Sequence, residues 1–317
     1  MLNFCSYFDK NYLSKFLVLR DSLINHHCEH NFYVLTLDDY SFQFLNENNF
    51  SNVVISHVKE LEKKYTELKN IKYNRSLIEY YFTLSPYLPI FLKNKFDLKK
   101  LIYLDVDILF FRNPELFYDK IIDYSIILIK QNYKKKYGFY NVGWISYNFL
   151  NPDTINILND WKMKCADWCY DKFEKNRYAD QKYLDYWPSL SKNLVVVEPN
   201  ISMISPWDEL TPYSMENSIN FYSYHFQGLK FSEKYFISGK SIYSFNFNRN
   251  YIKNFYLRYI SLLKNKQKKF NLNFTNTRSL RSDLVKNKNI FKLIINLIKK
   301  IKFYLLAILR FDFYILK

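Results

Sequence analysis

The sequence predicts an α/β fold with a mostly parallel central sheet flanked by helices, followed by a basic helical C-terminal extension. Three observations predict it. Short apolar runs of strand character alternate with helical stretches over the first 130 residues. One of them, residues 101–111 (LIYLDVDILFF), carries two acids, Asp105 and Asp107, where ligands collect in such folds, beyond the carboxyl end of a strand. Past Ser241 the composition shifts toward lysine, asparagine and long aliphatics, which puts a boundary near residue 245.

Taken in order, residues 2–7 read as a first strand, followed by a turn at Phe8-Asp9-Lys10-Asn11. A helix then runs to about His26, with apolar residues at Leu13, Phe16, Leu17, Leu19 and Leu23. Residues 31–37 and 53–56 are a second and third strand. Helices fill 58–69 and 75–92, the latter bent near Pro86 and Pro89. Residues 101–104, 125–129 and 140–146 are further buried strands, 153–187 is helical, and short strands return at 194–197 and 221–225.

In the tail, residues 289–317, the longest uncharged apolar run is 303–309, far short of the roughly 20 residues a spanning helix needs. Apolar side chains at Ile290, Phe291, Ile294, Ile295, Ile298, Ile301, Leu305 and Ile308, interleaved with lysines, fit an amphipathic helix in an anionic membrane interface. Packing on the body or on a second copy of the chain is the alternative.

At 317 residues and 49% apolar the chain can bury a large core, and 20% aromatic residues exclude general disorder. Only four glycines are present, where average usage near 7% would give about 22, so each marks a place where the backbone needs one. The net charge of +16 implies an anionic partner: nucleic acid, a membrane surface or a phosphorylated substrate. Four scattered cysteines make no disulfide scaffold, and Cys165 and Cys169 read as two buried thiols in a reducing compartment. Asp9 and Lys10 interrupt the apolar N-terminus, so no secretory signal is expected and the chain should stay in the cytoplasm.

Asp105 and Asp107 carry the functional reading. In an extended segment their side chains point the same way while Val106 faces the other. Two like charges held close are costly unless a cation sits between them, and a hard divalent ion with oxygen ligands answers that need. An ion held by few protein atoms keeps positions that phosphate oxygens can fill. The alternative is one acid capping the following turn and the other solvated. The apolar run before the pair and the Asn113-Pro114 turn signal after it favour the metal site.

Four segments together resemble a GT-A-fold glycosyltransferase, most like family 8 and its relatives in bacterial surface-glycan clusters. They are Phe8-Asp9-Lys10-Asn11-Tyr12, Asp105-Val106-Asp107, Tyr140-Asn141-Val142-Gly143-Trp144 with Ala179-Asp180-Gln181, and His225-Phe226-Gln227-Gly228-Leu229-Lys230, in matching order over roughly residues 1–235. Two departures stand out. Phe231-Ser232 replaces the Pro-Trp usual after that lysine, and residues 80–86 offer no arginine before the acidic triplet, which leaves Arg75 as the substitute.

With the boundary that the composition shift places near residue 245, the resemblance gives a catalytic domain over 1–245, leaving a basic, amphipathic helical extension over 246–317. Asp105, Asp107 and His225 would hold Mn²⁺ or Mg²⁺ against the diphosphate of a nucleotide-sugar donor, UDP-linked, with Gly228 and Lys230 also meeting the diphosphate. Phe8, Asp9 and Tyr12 would line the nucleobase, Arg75 would assist, and Asn141, Asp180 and Gln181 would face the donor sugar and the acceptor hydroxyl. An inverting reaction needs a carboxylate base near that hydroxyl, for which Asp180 is the candidate; the resemblance favours retention instead. The acceptor would be a glycan or lipid-linked sugar of lipopolysaccharide or capsule, reached from the cytoplasmic face of the inner membrane through the tail.

Two other readings compete. A haloacid-dehalogenase-type phosphatase also opens with an apolar strand and Asp-x-Asp, but places the pair near the chain start and needs a later acidic pair. A basic nucleic-acid-binding protein would explain the charge, yet that charge concentrates in the C-terminal third and the aromatics fall at core-like spacings, so no nucleic-acid partner is expected.

Overall fold

In the computed structural model, residues 1–119, 121–208, 221–239, 242, 249–272 and 290–316 are described. The strands are β1 (Leu2–Phe8), β2 (His30–Thr36), β3 (Val53–His57), β4 (Lys100–Leu104), β5 (Ile108–Phe110), β6 (Ile126–Lys130), β7 (Tyr140–Asn148), β8 (Leu194–Val197), β9 (Met203–Ile204), β10 (Ser223–His225), β11 (Lys230–Phe231), β12 (Tyr235–Ile237) and β13 (Phe313–Ile315). Seven form the central sheet in the order β3-β2-β1-β4-β7-β6-β8. β7 runs antiparallel to both its neighbours, and every other pairing in that sheet is parallel. This is the mixed α/β architecture, mostly parallel and flanked by helices, that the sequence predicts.

The strands form where they do because both faces are covered. β4 is buried from Leu101 to Leu104 and β6 from Ile126 to Ile129, the near-continuous apolar signature of a sheet packed on two sides. One core cluster joins β1, β4, β6 and β7 to Trp161 and Trp187, whose rings meet edge-to-face at 5.1 Å.

Local chemistry divides the helices more finely than periodicity suggested. The expected helix over 58–69 is two, Val58–Lys64 and Glu67–Asn74. Residues 75–92 likewise give Leu77–Leu84 and Tyr87–Phe96, because Pro86 has no N–H to continue the first and serves as the cap of the second. Ser76 and Glu79 start the first of these with a reciprocal capping box. The expected helix over 153–187 is regular only over Pro152–Asp167, after which the chain passes through an irregular stretch to a short 3-10 helix, Gln181–Tyr186.

Residues 1–204 and 221–225 form one compact unit; 205–208 and the described residues from 226 onward form a second. The boundary expected near residue 245 lies outside the described residues, and the chain leaves the first unit after His225. In the second unit β11, β12 and β13 make an antiparallel sheet beside the helices Arg249–Lys269 and Ile290–Leu309. The C-terminal helix is thus tied down by the strand that follows it, and Ala307 is buried while Leu297, Ile298, Ile301, Leu305 and Ile308 stay exposed. No helix among the described residues is long and apolar enough to cross a membrane.

Candidate metal and donor site

β1 is the strand at which the sheet order reverses, with β2 on one side and β4 on the other, and the carboxyl ends of strands at such a switch point are where ligands collect in open α/β sheets. Asp9 follows β1 and Asp105 follows β4 directly. The two acids of the triplet do not converge along an extended strand, as the sequence suggested. They sit in a turn between β4 and β5, with Val106 buried. β5 then pairs antiparallel with β10, setting Ile108 opposite His225 and delivering the imidazole from more than a hundred residues away.

His225 Nε2 lies 3.1 Å from Asp107 Oδ1 and 3.6 Å from Asp105 Oδ2. One ligand atom from each of the three residues falls within 4.8 Å of the others. Two carboxylate oxygens and an imidazole nitrogen could hold a divalent cation, the imidazole suiting a transition-metal ion better than Mg²⁺.

Room for that group is kept by Gly143. The β6–β7 ladder shifts from Leu128 opposite Ile145 to Ile129 opposite Asn141, so residues 142–144 bulge out of it. The bulge presents the Gly143 carbonyl to the Asp105 N–H at 2.8 Å. A side chain at Gly143 would put its Cβ 2.9 Å from His225 Cε1 and 3.0 Å from Asp105 Oδ2, closer than real contacts allow. Asn141, buried, accepts the Gly143 N–H through Oδ1 at 2.7 Å and so helps to hold the bulge.

A fourth group, which the sequence reading missed, is Lys15. It lies on α1 (Leu13–Asn25), is 3% exposed, and its ammonium stands 3.2 Å from Asp107 Oδ2 and 4.3 Å from the Tyr12 ring centre. Burial works against the Lys15 charge, but Asp107 and Asp105 outweigh it and keep the group charged above the ordinary lysine range. Burial likewise opposes charge on Asp107, yet Lys15 and His225 hold its carboxyl well below the usual carboxylate range. Asp105 is pushed up by burial and by Asp107, with His225 opposing. On a helix of mostly apolar buried residues a lysine looks like a surface side chain, and only the approach of α1 to β5 reveals it.

A hydrogen-bonded row of side chains runs from the acids into the core. Tyr103 Oη donates to Asp105 Oδ1 at 2.7 Å, Tyr7 Oη is 3.0 Å from Ser85 Oγ, and Ser85 bonds the carboxyl of Asp180. Asp180 is 5% exposed, and burial, with Asp105 adding to it, raises its pKa to about 7. Ala179 before it holds φ +45°, a conformation that costs a non-glycine residue about 1–2 kcal/mol. The Ala179 N–H to Tyr170 carbonyl bond and the Trp161 indole on the Asp180 carbonyl, 2.9 Å, keep it there. Beside it, Gln181 has its Nε2 buried with no hydrogen-bond partner among the described residues, and it packs against Gly138.

The remaining expected residues divide. Asp9 accepts the Asn11 N–H and starts the turn after β1, and Tyr12 is 41% exposed with the Lys15 ammonium over its ring. Phe8 is buried and stacked on Phe16 with ring centres 4.8 Å apart, so its ring belongs to the core and is no nucleobase surface. Arg75 is committed to a helix end: its guanidinium donates to the carbonyls of Cys165 at 2.7 Å and Ala166 at 2.8 Å and lies over the Tyr170 ring. Gly228 takes φ +82°, and Lys230 Nζ lies 3.9 Å from the Phe303 ring centre within the second unit.

No protein-family profile matches the chain. Among curated proteins it is 24% identical to the uncharacterized protein YfnD of Bacillus subtilis (strain 168) over 206 residues, 62% of this chain and 65% of that one. It is also 24% identical to YfnF of the same strain over 220 residues, 65% of this chain and 71% of that protein. The match thus spans just under two thirds of the first relative. Among solved structures it is similar to apo mouse xyloside xylosyltransferase 1, with a TM-score of 0.49 at 15% identity, covering 72% of this chain and 98% of that one. The galactosyltransferase LgtC with donor and acceptor sugar analogues gives a TM-score of 0.45 at 17% identity, covering 72% and 87%. The bifunctional glycosyltransferase WbbM gives 0.45 at 12%, covering 72% and 46%.

Proposed function

We propose that the chain is a metal-dependent glycosyltransferase that moves a sugar from a nucleotide-diphospho-sugar, UDP-linked, to a glycan or lipid-linked acceptor of a bacterial surface polysaccharide. One observation carries the reading. Asp105, Asp107 and His225 converge at the carboxyl end of the sheet's switch-point strands, around a space that Gly143 keeps open. The quoted sequence motifs, which contain these residues, support the same conclusion.

The hard step in glycosyl transfer is departure of the nucleoside diphosphate, whose growing negative charge must be stabilised. A divalent ion held by the three side chains would supply that positive charge. Tyr103 orients the Asp105 carboxylate, and Asn141 with Gly143 fixes the backbone behind it. The buried Nε2 of Gln181, without a hydrogen-bond partner among the described residues, is suited to a sugar hydroxyl, and Asp180, with a pKa near neutrality, can accept the acceptor's proton if the product inverts. Retention, which the resemblance favours, would need no such base. Gly228 and Lys230 stay proposed for the diphosphate on the resemblance alone, as do Asp9 and Tyr12 for the nucleobase.

The phosphatase reading needs a second acidic pair. Beside these two aspartates, among the described residues, stand an imidazole and an ammonium instead. Peripheral attachment to an anionic membrane is proposed through the exposed face of the helix Ile290–Leu309, which would keep the enzyme at the cytoplasmic surface of the inner membrane.

A thermal-shift screen of nucleoside diphosphates with and without Mn²⁺ or Mg²⁺ tests the donor reading. A rise in Tm that needs both components, largest for UDP, is expected. Absence of any shift with every base and metal would sink the proposal.

A further inference from the structure

We propose that Lys15 is the resident countercation of the acidic pair and that it couples the metal to the donor's diphosphate, so that neither binds well without the other. The inference rests on the donor-site reading above and adds a residue to it.

The geometry divides Asp107 between two partners. Oδ1 faces the imidazole at 3.1 Å, while Oδ2 faces the ammonium at 3.2 Å. Lys15 is itself buried and reaches the cluster from α1, a different element from those that bring Asp105, Asp107 and His225. An ammonium cannot ligate a metal, since it has donors only. It instead repels a second cation arriving at the same carboxylate, in a site where water screens little.

An anion that meets both cations removes that repulsion. A diphosphate has the charge and the oxygens to do so, and Lys15 is placed for it: the same ammonium lies over Tyr12, the exposed ring proposed for the nucleobase. A donor running from base to sugar would carry its phosphates past Lys15 on the way to the acids. Coupling of this kind is reciprocal, so the factor by which nucleotide tightens metal equals the factor by which metal tightens nucleotide. Selectivity follows, because free divalent ions would not occupy the site and a metal-free nucleotide would be held weakly.

Calorimetric titration of the full chain with MnCl₂, alone and at saturating UDP, tests this on the parent and on Lys15→Met and Lys15→Arg. In the parent, UDP should tighten Mn²⁺ by at least tenfold. Lys15→Met should bind Mn²⁺ alone at least tenfold more tightly than the parent and bind UDP alone more weakly, while Lys15→Arg stays within threefold of the parent for Mn²⁺. Equal or weaker Mn²⁺ binding by a folded Lys15→Met overturns the inference and leaves the donor site standing. If Lys15→Met does not fold, the parent decides: tightening of less than threefold by UDP overturns it. A parent that binds neither Mn²⁺ nor UDP in any combination removes the donor-site reading and this inference with it.

Discussion

Asp105 and Asp107 look interchangeable in the triplet, yet their surroundings make them unequal. Asp107 is the acid in direct contact with the buried ammonium of Lys15, whereas Asp105 is partly exposed and held by Tyr103. Both Asp105→Asn and Asp107→Asn should lower transfer by well over tenfold in a turnover assay. Only Asp107→Asn should also lose stability, by about 3–5 kcal/mol in denaturant melts, since it strands a buried charge. Asp180 gives a second residue-scale expectation, with the sign set by its raised pKa. The fold favours its protonated form, so its contribution is full below the ordinary value of 3.8 and lost as pH rises through about 7. Asp180→Asn in the metal-free protein should therefore melt at a higher temperature than the parent at pH 8, with the gap narrowing toward pH 4. A gap that stays constant with pH would show that the carboxyl is not held neutral. Asp105 and Asp107 were legible because two acids after a buried apolar run are chemically conspicuous. Lys15 was not, since nothing local distinguishes a buried lysine from a solvated one.

Among the elements, the end of the helix Pro152–Asp167 gives the side chain proposed for the donor a structural partner. Arg75 fits a phosphate as well as it fits carbonyls, and here it closes the last turn of that helix, at Cys165 and Ala166. Arg75→Met should cost roughly 1–3 kcal/mol by leaving those carbonyls unpaired, and it should leave UDP affinity within twofold in the same calorimetric titration. A tenfold loss of UDP affinity in a fully folded variant would return Arg75 to the donor site. The C-terminal helix makes the opposite point. Its apolar period was plain in the sequence, but the strand β13 behind it was not, because three residues carry no readable period. Truncation at residue 289 would remove that strand as well as the exposed face. The informative variant is Ile298→Ser, Ile301→Ser and Leu305→Ser together. It should keep the parent Tm within about 2 °C, since these side chains lie outside the core, and lose sedimentation with phosphatidylserine vesicles. Retained binding would exclude this face as the anchor.

For the molecule as a whole, the net charge of +16 adds a long-range attraction to any anionic surface beyond the contribution of the helix face. Such attraction is screened over about 10 Å at 0.1 M salt and about 3 Å at 1 M. Vesicle binding should accordingly fall severalfold between those concentrations without vanishing, the residue being the apolar part. Binding indifferent to salt would mean that charge plays no role.

The sequence by itself determined the α/β class, the order of the central strands along the chain and the acidic pair, because each rests on local patterning or on residue types whose chemistry is narrow, while the distant histidine entered only through the family resemblance. Tertiary structure alone decided that a turn rather than a strand joins the two acids, that Gly143 backs the site, that Phe8 and Arg75 serve the scaffold, and that a lysine from α1 completes the cluster. The physical reason is range. Propensity and periodicity act over a few residues, whereas the charge state and availability of a side chain depend on what distant strands and helices bring within a few ångströms of it.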